Sequence, residues 1–182
     1  MRAPVGGLFR HVLDLAAEQS ARGYDVGVVA DSTASDRLTS ERFAALEPHL
    51  TLGLRRIPMN RKPGFGDFAA ARAVARHAEA IGATVLHGHG AKGGAYARLA
   101  GRTLRSAGRH VETFYTPHGG TLNYRPGSLE GRVYLNLEKL LSHLTSGFIF
   151  ESDYARWTFE VRIGIGDVPS RREPIVMSAP SP

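Results

Sequence analysis

The chain contains no cysteine, which excludes disulfide bridges and any metal site built on thiolates. No apolar run approaches the roughly 18 residues that a membrane-spanning helix needs. No signal-peptide h-region is present at the start, because Gly6, Gly7, Arg10 and His11 interrupt it. Blocks of like charge are missing as well. The basic residues are scattered, although 23 Lys and Arg against 17 Asp and Glu leave a net charge of +6. That balance does not point to nucleic acid; it suits an anionic small molecule or an anionic lipid surface. A cytoplasmic location is expected, with membrane association through peripheral contact with the inner membrane face.

What remains is ordinary globular material. With 182 residues, 42% of them hydrophobic and 22% charged, one domain with a proper core is expected. Phe9, Val12, Leu13 and Ala16 recur at helical spacing after the Gly6-Gly7 pair. The run YDVGVVADS (24–32) reads as a buried parallel strand, followed by a helix over about 39–47 and a weaker strand in 50–59. Residues 66–82 form a strong helical pattern with Phe68, Ala71, Ala75 and Ala78 on one side. The segments 84–90, 110–120 and 146–152 read as strands, separated by helices over 92–108 and 128–144 and followed by one through Trp157. Short apolar strands alternating with helices demand crossover connections, hence an α/β, Rossmann-like, mostly parallel sheet with helices on both faces. Residues 1–166 form that domain, and the aperiodic segment 167–182 reads as a proline-rich tail or truncated linker.

In such a sheet ligands bind beyond the carboxyl ends of the strands. Gly6-Gly7, HGHGAKGG (87–94), TPHGG (116–120) and FES (150–152) all fall there. In HGHGAKGG, Gly93, Gly94 and Lys92 either let backbone amides approach a phosphate or let helix and sheet pack closely. His87 and His89 are expected to point to opposite faces of their strand, so no metal site is expected. His118, at the end of a strand and beside Gly119 and Gly120, is placed to bond a substrate hydroxyl or carbonyl near neutral pH. Glu130 and Glu138 are spaced E-x7-E, about 80° apart around a helix axis, and read as solvated-face carboxylates flanking the stripe Val133, Leu137, Leu140, Leu141 and Leu144. Burial against the sheet accounts for that stripe, and a membrane-surface helix with Arg125, Arg132, Tyr134 and Lys139 is the alternative.

In their order these pieces resemble the N-terminal, acceptor-side domain of GT-B fold glycosyltransferases of family 4. The segment RAPVGGLFRHVLDLAAEQSARGYDVGVVADS resembles that family's first loop, helix and second strand. TVLHGHGAKGGAYARLAG, TPHGG and LTSGFIFESDYAR resemble its later segments, so the likeness covers about residues 2–164. The resemblance implies transfer of a sugar from a nucleotide-sugar donor to a glycan or polyprenyl-linked acceptor. It further implies retention of configuration, independence from metal, and no cofactor beyond the nucleotide-sugar substrate. Gly6 and Gly7 then match the glycine loop that approaches the donor diphosphate, and His118 the histidine near the reacting centre. Gly119 and Gly120 shape that loop, and Lys92 and Ser152 line the same edge.

Family members begin with a strand before the glycine loop and continue into a donor-binding domain. This chain is expected to lack that first strand and that second domain, and so to be catalytically incomplete alone. The family's E-x7-E belongs to the donor domain, so the Glu130/Glu138 pair is read as a decoy. The alternative function is a non-catalytic binding module for an anionic small molecule such as a nucleotide-sugar. A dinucleotide oxidoreductase is disfavoured, since no GxGxxG follows a strand with an acidic residue about 20 positions on.

Overall fold

A computed structural model describes residues 1–2, 6–33, 36–60, 64–118 and 128–164. The elements are α1 (Gly6–Ala21), β1 (Val28–Asp31), α2 (Arg37–Leu46), a 3-10 turn (Glu47–His49), β2 (Leu54–Ile57), α3 (Gly66–Ala80) and β3 (Val85–His89), then α4 (Gly90–Ser106), β4 (Glu112–Thr116), α5 (Leu129–Ser142), β5 (Gly147–Phe148) and α6 (Asp153–Arg162). The expected alternation of strands and helices is what forms, and every strand pairing among the described residues is parallel. The fold is mixed α/β and Rossmann-like. Gly119, Gly120, Arg125 and the tail 167–182 lie outside the described residues, as does the side chain of Glu130.

The strands fall into two sheets, β1-β2 and β3-β4-β5. A cavity of about 760 Å³ separates them, lined among others by Val28 and Val29 of β1 and by Val85, Leu86 and His87 of β3. Met1 occupies one end of this cleft. Its amino group donates to the Val29 carbonyl at 2.6 Å, and the Asp31 amide donates to the Met1 carbonyl at 3.1 Å. One rung of parallel pairing is thus made beside β1. Burial lowers the pKa of that amine to about 5.

Side-chain packing holds the halves together where main-chain pairing does not. α1 buries Phe9, Val12 and Ala16 against Phe43 of α2 and Val28 and Ala30 of β1. On the other flank, Ala70, Ala71, Val74 and Ala75 of α3 share one apolar cluster with Ile57 at the end of β2, Met59 just beyond it, and Tyr96 and Ala100 of α4. That cluster draws on both sides of the cleft. Phe68, expected with the alanines of α3, instead points outward with 66% of its surface exposed. The inward side of α3 is made of small residues that let α4 approach closely.

The larger departure concerns α5. Ser128 caps this helix by accepting from the Gly131 amide at 3.0 Å. Most of the stripe expected to face the sheet is turned out: Val133, Leu137 and Leu140 are exposed, Leu144 is half-buried and Leu141 alone is buried; Leu129, at the start of the helix, is exposed as well. Facing inward are Gly131, Glu138, Leu141 and Ser142. The reason lies on α4, where Arg98 is completely buried. Its guanidinium grips Glu138 through N–H donors at 3.0 and 3.1 Å, its Nε–H donates to the Gly94 carbonyl at 2.9 Å, and its plane lies 4.0 Å from the Tyr115 ring centre. A charge taken from water needs such a complete set of partners, and Glu138 is the residue of α5 that supplies it. The expectation that Glu138 lies on a solvated face is therefore wrong.

Candidate functional site at the carboxyl edge of the strands

Because all strands run parallel, their carboxyl ends share one edge in each sheet, and helices begin there. β3 passes directly into α4 at Gly90, whose φ of +66° needs a residue without a Cβ. Next to it Gly88 backs onto Gly94: a Cβ on Gly88 would come within 2.5 Å of the Gly94 Cα. A Cβ on Gly94 would in turn meet the Tyr115 ring at 2.2 Å. Of the two readings of this glycine run, close packing of helix on sheet is the one these contacts support for Gly94.

Lys92 is also spoken for. Its Nζ donates to the Asp67 carboxylate at 2.5 Å, and the Tyr96 hydroxyl donates to the same oxygen. These bonds, set against burial, keep the Asp67 carboxyl below its usual range, while burial and the neighbouring carboxylate push the Tyr96 phenol up. Asp67 begins α3, so Lys92 and Tyr96 tie the starts of two helices together. Ser152 has a local task as well, capping α6 by accepting from the Ala155 amide at 3.1 Å.

The residues that do converge are histidines. His89 ends β3, His118 follows β4, His11 projects from α1, and His87 lies behind His89. Ring centres stand 5.6 Å apart for His11–His89, 5.1 Å for His11–His118 and 5.4 Å for His89–His118. His89 Nδ1 and His118 Nε2 are within hydrogen-bonding distance at 3.1 Å. His87 and His89 are not on opposite faces as expected. Residues i and i+2 of a strand share a face, and here the two rings sit 4.0 Å apart. His87 Nε2 is paired with the Thr116 hydroxyl at 2.8 Å.

Glu151, beyond β5, reaches this group from outside. Its carboxylate lies 3.0 Å from His118 Nδ1 and 3.7 Å from His11 Nδ1. Burial lowers the pKa of His87 to about 4, helped by the neighbouring His11 and His118. Burial lowers His89 further, again with the other imidazoles contributing. For His118 burial also prevails, against the opposing pull of Glu151. At neutral pH, His87, His89 and His118 are thus neutral imidazoles, able to donate at one nitrogen and accept at the other.

Of the predicted site residues, His118 stands in this cluster, and Gly6 and Gly7 open α1, the helix that carries His11. Lys92 and Ser152 are engaged elsewhere. His11 and Glu151 were missed. The available signals were a histidine one turn into the first helix and an acid directly after the last strand.

The family model for a glycosyl transferase 4-like domain matches residues 6–168. The chain belongs to that family. No curated protein and no solved structure gave a match. In this glycosyl transferase 4-like domain the match spans α1 through α6, including all four histidines and Glu151, so the site lies wholly inside the family's own module.

Proposed function

We propose that this glycosyl transferase 4-like domain forms the acceptor-side half of a GT-B sugar-transfer cleft. The sugar moves from a nucleotide-sugar donor to a glycan or polyprenyl-linked acceptor. His118 is the observation on which the reading rests. It sits just past the carboxyl end of β4, with Nδ1 against Glu151 at 3.0 Å; its Nε2, which pairs with His89 Nδ1 at 3.1 Å, would exchange that partner for a hydroxyl of the transferred sugar. Gly6 and Gly7 support it: no atom lies within 4 Å of where a Cβ would stand on either. An open helix start of this kind suits a diphosphate.

Further parts of the same proposal are a retaining, metal-independent transfer and a donor site supplied by a second domain. The cleft between β1 and β3 is read as the place of a further parallel strand. Such a strand would join the sheets in the order β2-β1-strand-β3-β4-β5, the arrangement of a doubly wound fold. The outward stripe of α5, flanked by exposed Arg132 and Lys139, is read as a face for an anionic membrane surface. No helix among the described residues is long and apolar enough to cross a membrane.

The test is calorimetry with nucleotide-sugars and polyprenyl phosphates, followed by a transfer assay with a co-expressed donor-binding domain. Binding is expected, with transfer only when both halves are present. His118→Ala is expected to lower transfer by about 100-fold or more with an unchanged circular dichroism spectrum. Absence of transfer across the donor panel would sink the proposal. Saturable binding without turnover would favour the alternative, a binding module for a nucleotide-sugar.

A further inference from the structure

Three imidazoles from three separate stretches of chain point their nitrogens at one spot. One ligand-capable atom each from His11, His89 and His118 lies within 4.8 Å of the other two. We propose that His11, His89 and His118 form a binding site for a divalent transition-metal ion of the zinc or cobalt class.

The distances favour this. Two nitrogens bound to one tetrahedral ion at about 2.0–2.1 Å stand roughly 3.3 Å apart. His89 Nδ1 and His118 Nε2 already stand at 3.1 Å, and a His11 nitrogen lies within 4.8 Å of the ligand atoms of both. The surroundings favour it too. Metal-binding histidines characteristically give their second nitrogen to a carboxylate, which fixes the tautomer and strengthens the ligand. Glu151 stands in that relation to His118 Nδ1 at 3.0 Å, so that Nε2 carries the lone pair.

His87, packed 4.0 Å from the His89 ring and bonded to Thr116, limits how far the His89 ring can turn. Imidazole ligands without thiolates or a carboxylate cage select borderline transition metals over magnesium or calcium. Three protein ligands leave a fourth position for water or another small ligand.

The site also bridges the molecule. His11 belongs to the helix packed on β1, whereas His89 and His118 belong to β3 and β4, so a bound ion would clasp the two sheets. If His118 contacts the transferred sugar, ion and sugar compete for its Nε2. That consequence alone rests on the proposed function; the metal site itself does not.

The experiment uses tag-free protein, stripped with chelator and titrated with Co²⁺ under visible spectroscopy, with Zn²⁺ as competitor. One equivalent is expected to bind, with the absorption of a low-coordinate cobalt centre and displacement by Zn²⁺. His11→Gln and His89→Gln are each expected to weaken binding by about 100-fold, and Glu151→Gln by about 10-fold. His143→Gln, on an exposed residue of another surface, should leave it unchanged. Glu151 is exposed, so its variant stays informative should a buried histidine variant fail to fold. Lack of saturable binding by the folded wild-type chain at millimolar ion overturns the proposal. So does binding that both His11→Gln and His89→Gln leave untouched.

Discussion

Two places in this molecule put ionisable side chains inside, and they are built on opposite plans. At the junction of α4, α5 and β4, Arg98 and Glu138 are almost wholly removed from water, yet each finds a full set of partners. At the carboxyl edge of the strands, four histidines crowd together with one exposed carboxylate between them and solvent. The first arrangement is closed: its charges satisfy one another and hold α5 against α4. The second is open, because its histidines pair mainly with one another and with a carboxylate that is itself exposed. Burial alone therefore does not mark a functional site. Titratable groups gathered at a ligand-binding edge, with pKa values shifted by burial, are the better marker.

That contrast can be broken experimentally. Glu138→Ala strands the Arg98 guanidinium without its counter-charge and is expected to cost about 3–5 kcal/mol in urea unfolding. The double variant Arg98→Met/Glu138→Leu should recover most of that loss. A double variant as unstable as the single one would show that the pair does more than satisfy itself.

The histidine cluster makes a different prediction, because its stability cost depends on pH. His87 has a folded-state pKa near 4 instead of 6.5. Above pH 6.5 both folded and unfolded states hold it neutral, and nothing changes. As pH falls from 6.5 towards 4 only the unfolded chain takes up the proton, so stability declines, by on the order of 2–3 kcal/mol. Unfolding of chelator-treated protein at pH 7 and at pH 4.5 measures this, and His87→Gln should flatten the slope. An unchanged slope would mean that the imidazole is not buried neutral.

Smaller effects sharpen the same comparison. Gly94→Ala drives a methyl into the Tyr115 ring that floors Arg98, and about 1–3 kcal/mol of destabilisation is expected in thermal unfolding. Leu140→Ser, on the outward stripe of α5, should change stability by less than about 0.5 kcal/mol. It should nonetheless reduce sedimentation with vesicles of anionic phospholipid. Unaltered vesicle binding would remove α5 as the membrane-facing surface.

How much of this was legible in the sequence follows from what each signal measures. Alternating apolar runs report burial and period, and they located the helices and strands of the described chain well, because each strand is a short run between helices of clear period. The facing of α5 was not legible. Its apolar stripe outweighed Glu138 in any pattern argument, and the residue that decides the facing, Arg98, is 40 positions away. Within the site, His118 was found because strand ends carry ligands. His11 sits in the body of a helix and Glu151 one position before the serine that drew notice, and only the fold brings them to His118. The shared face of His87 and His89, by contrast, follows from their two-residue spacing alone.

The cleft beside β1 has a consequence for how the molecule comes apart. In a continuous sheet, opening one strand exposes the next, and amide exchange rises together across the whole. Here β1 and β3 share no ladder, and the apolar cluster of α3 and α4 is what couples them. Deuterium should therefore enter in two kinetic classes, with the amides of β1 and β2 exchanging through openings that leave β3, β4 and β5 protected. The seam runs alongside the histidines, so whatever ligand sits there should draw the two classes towards one.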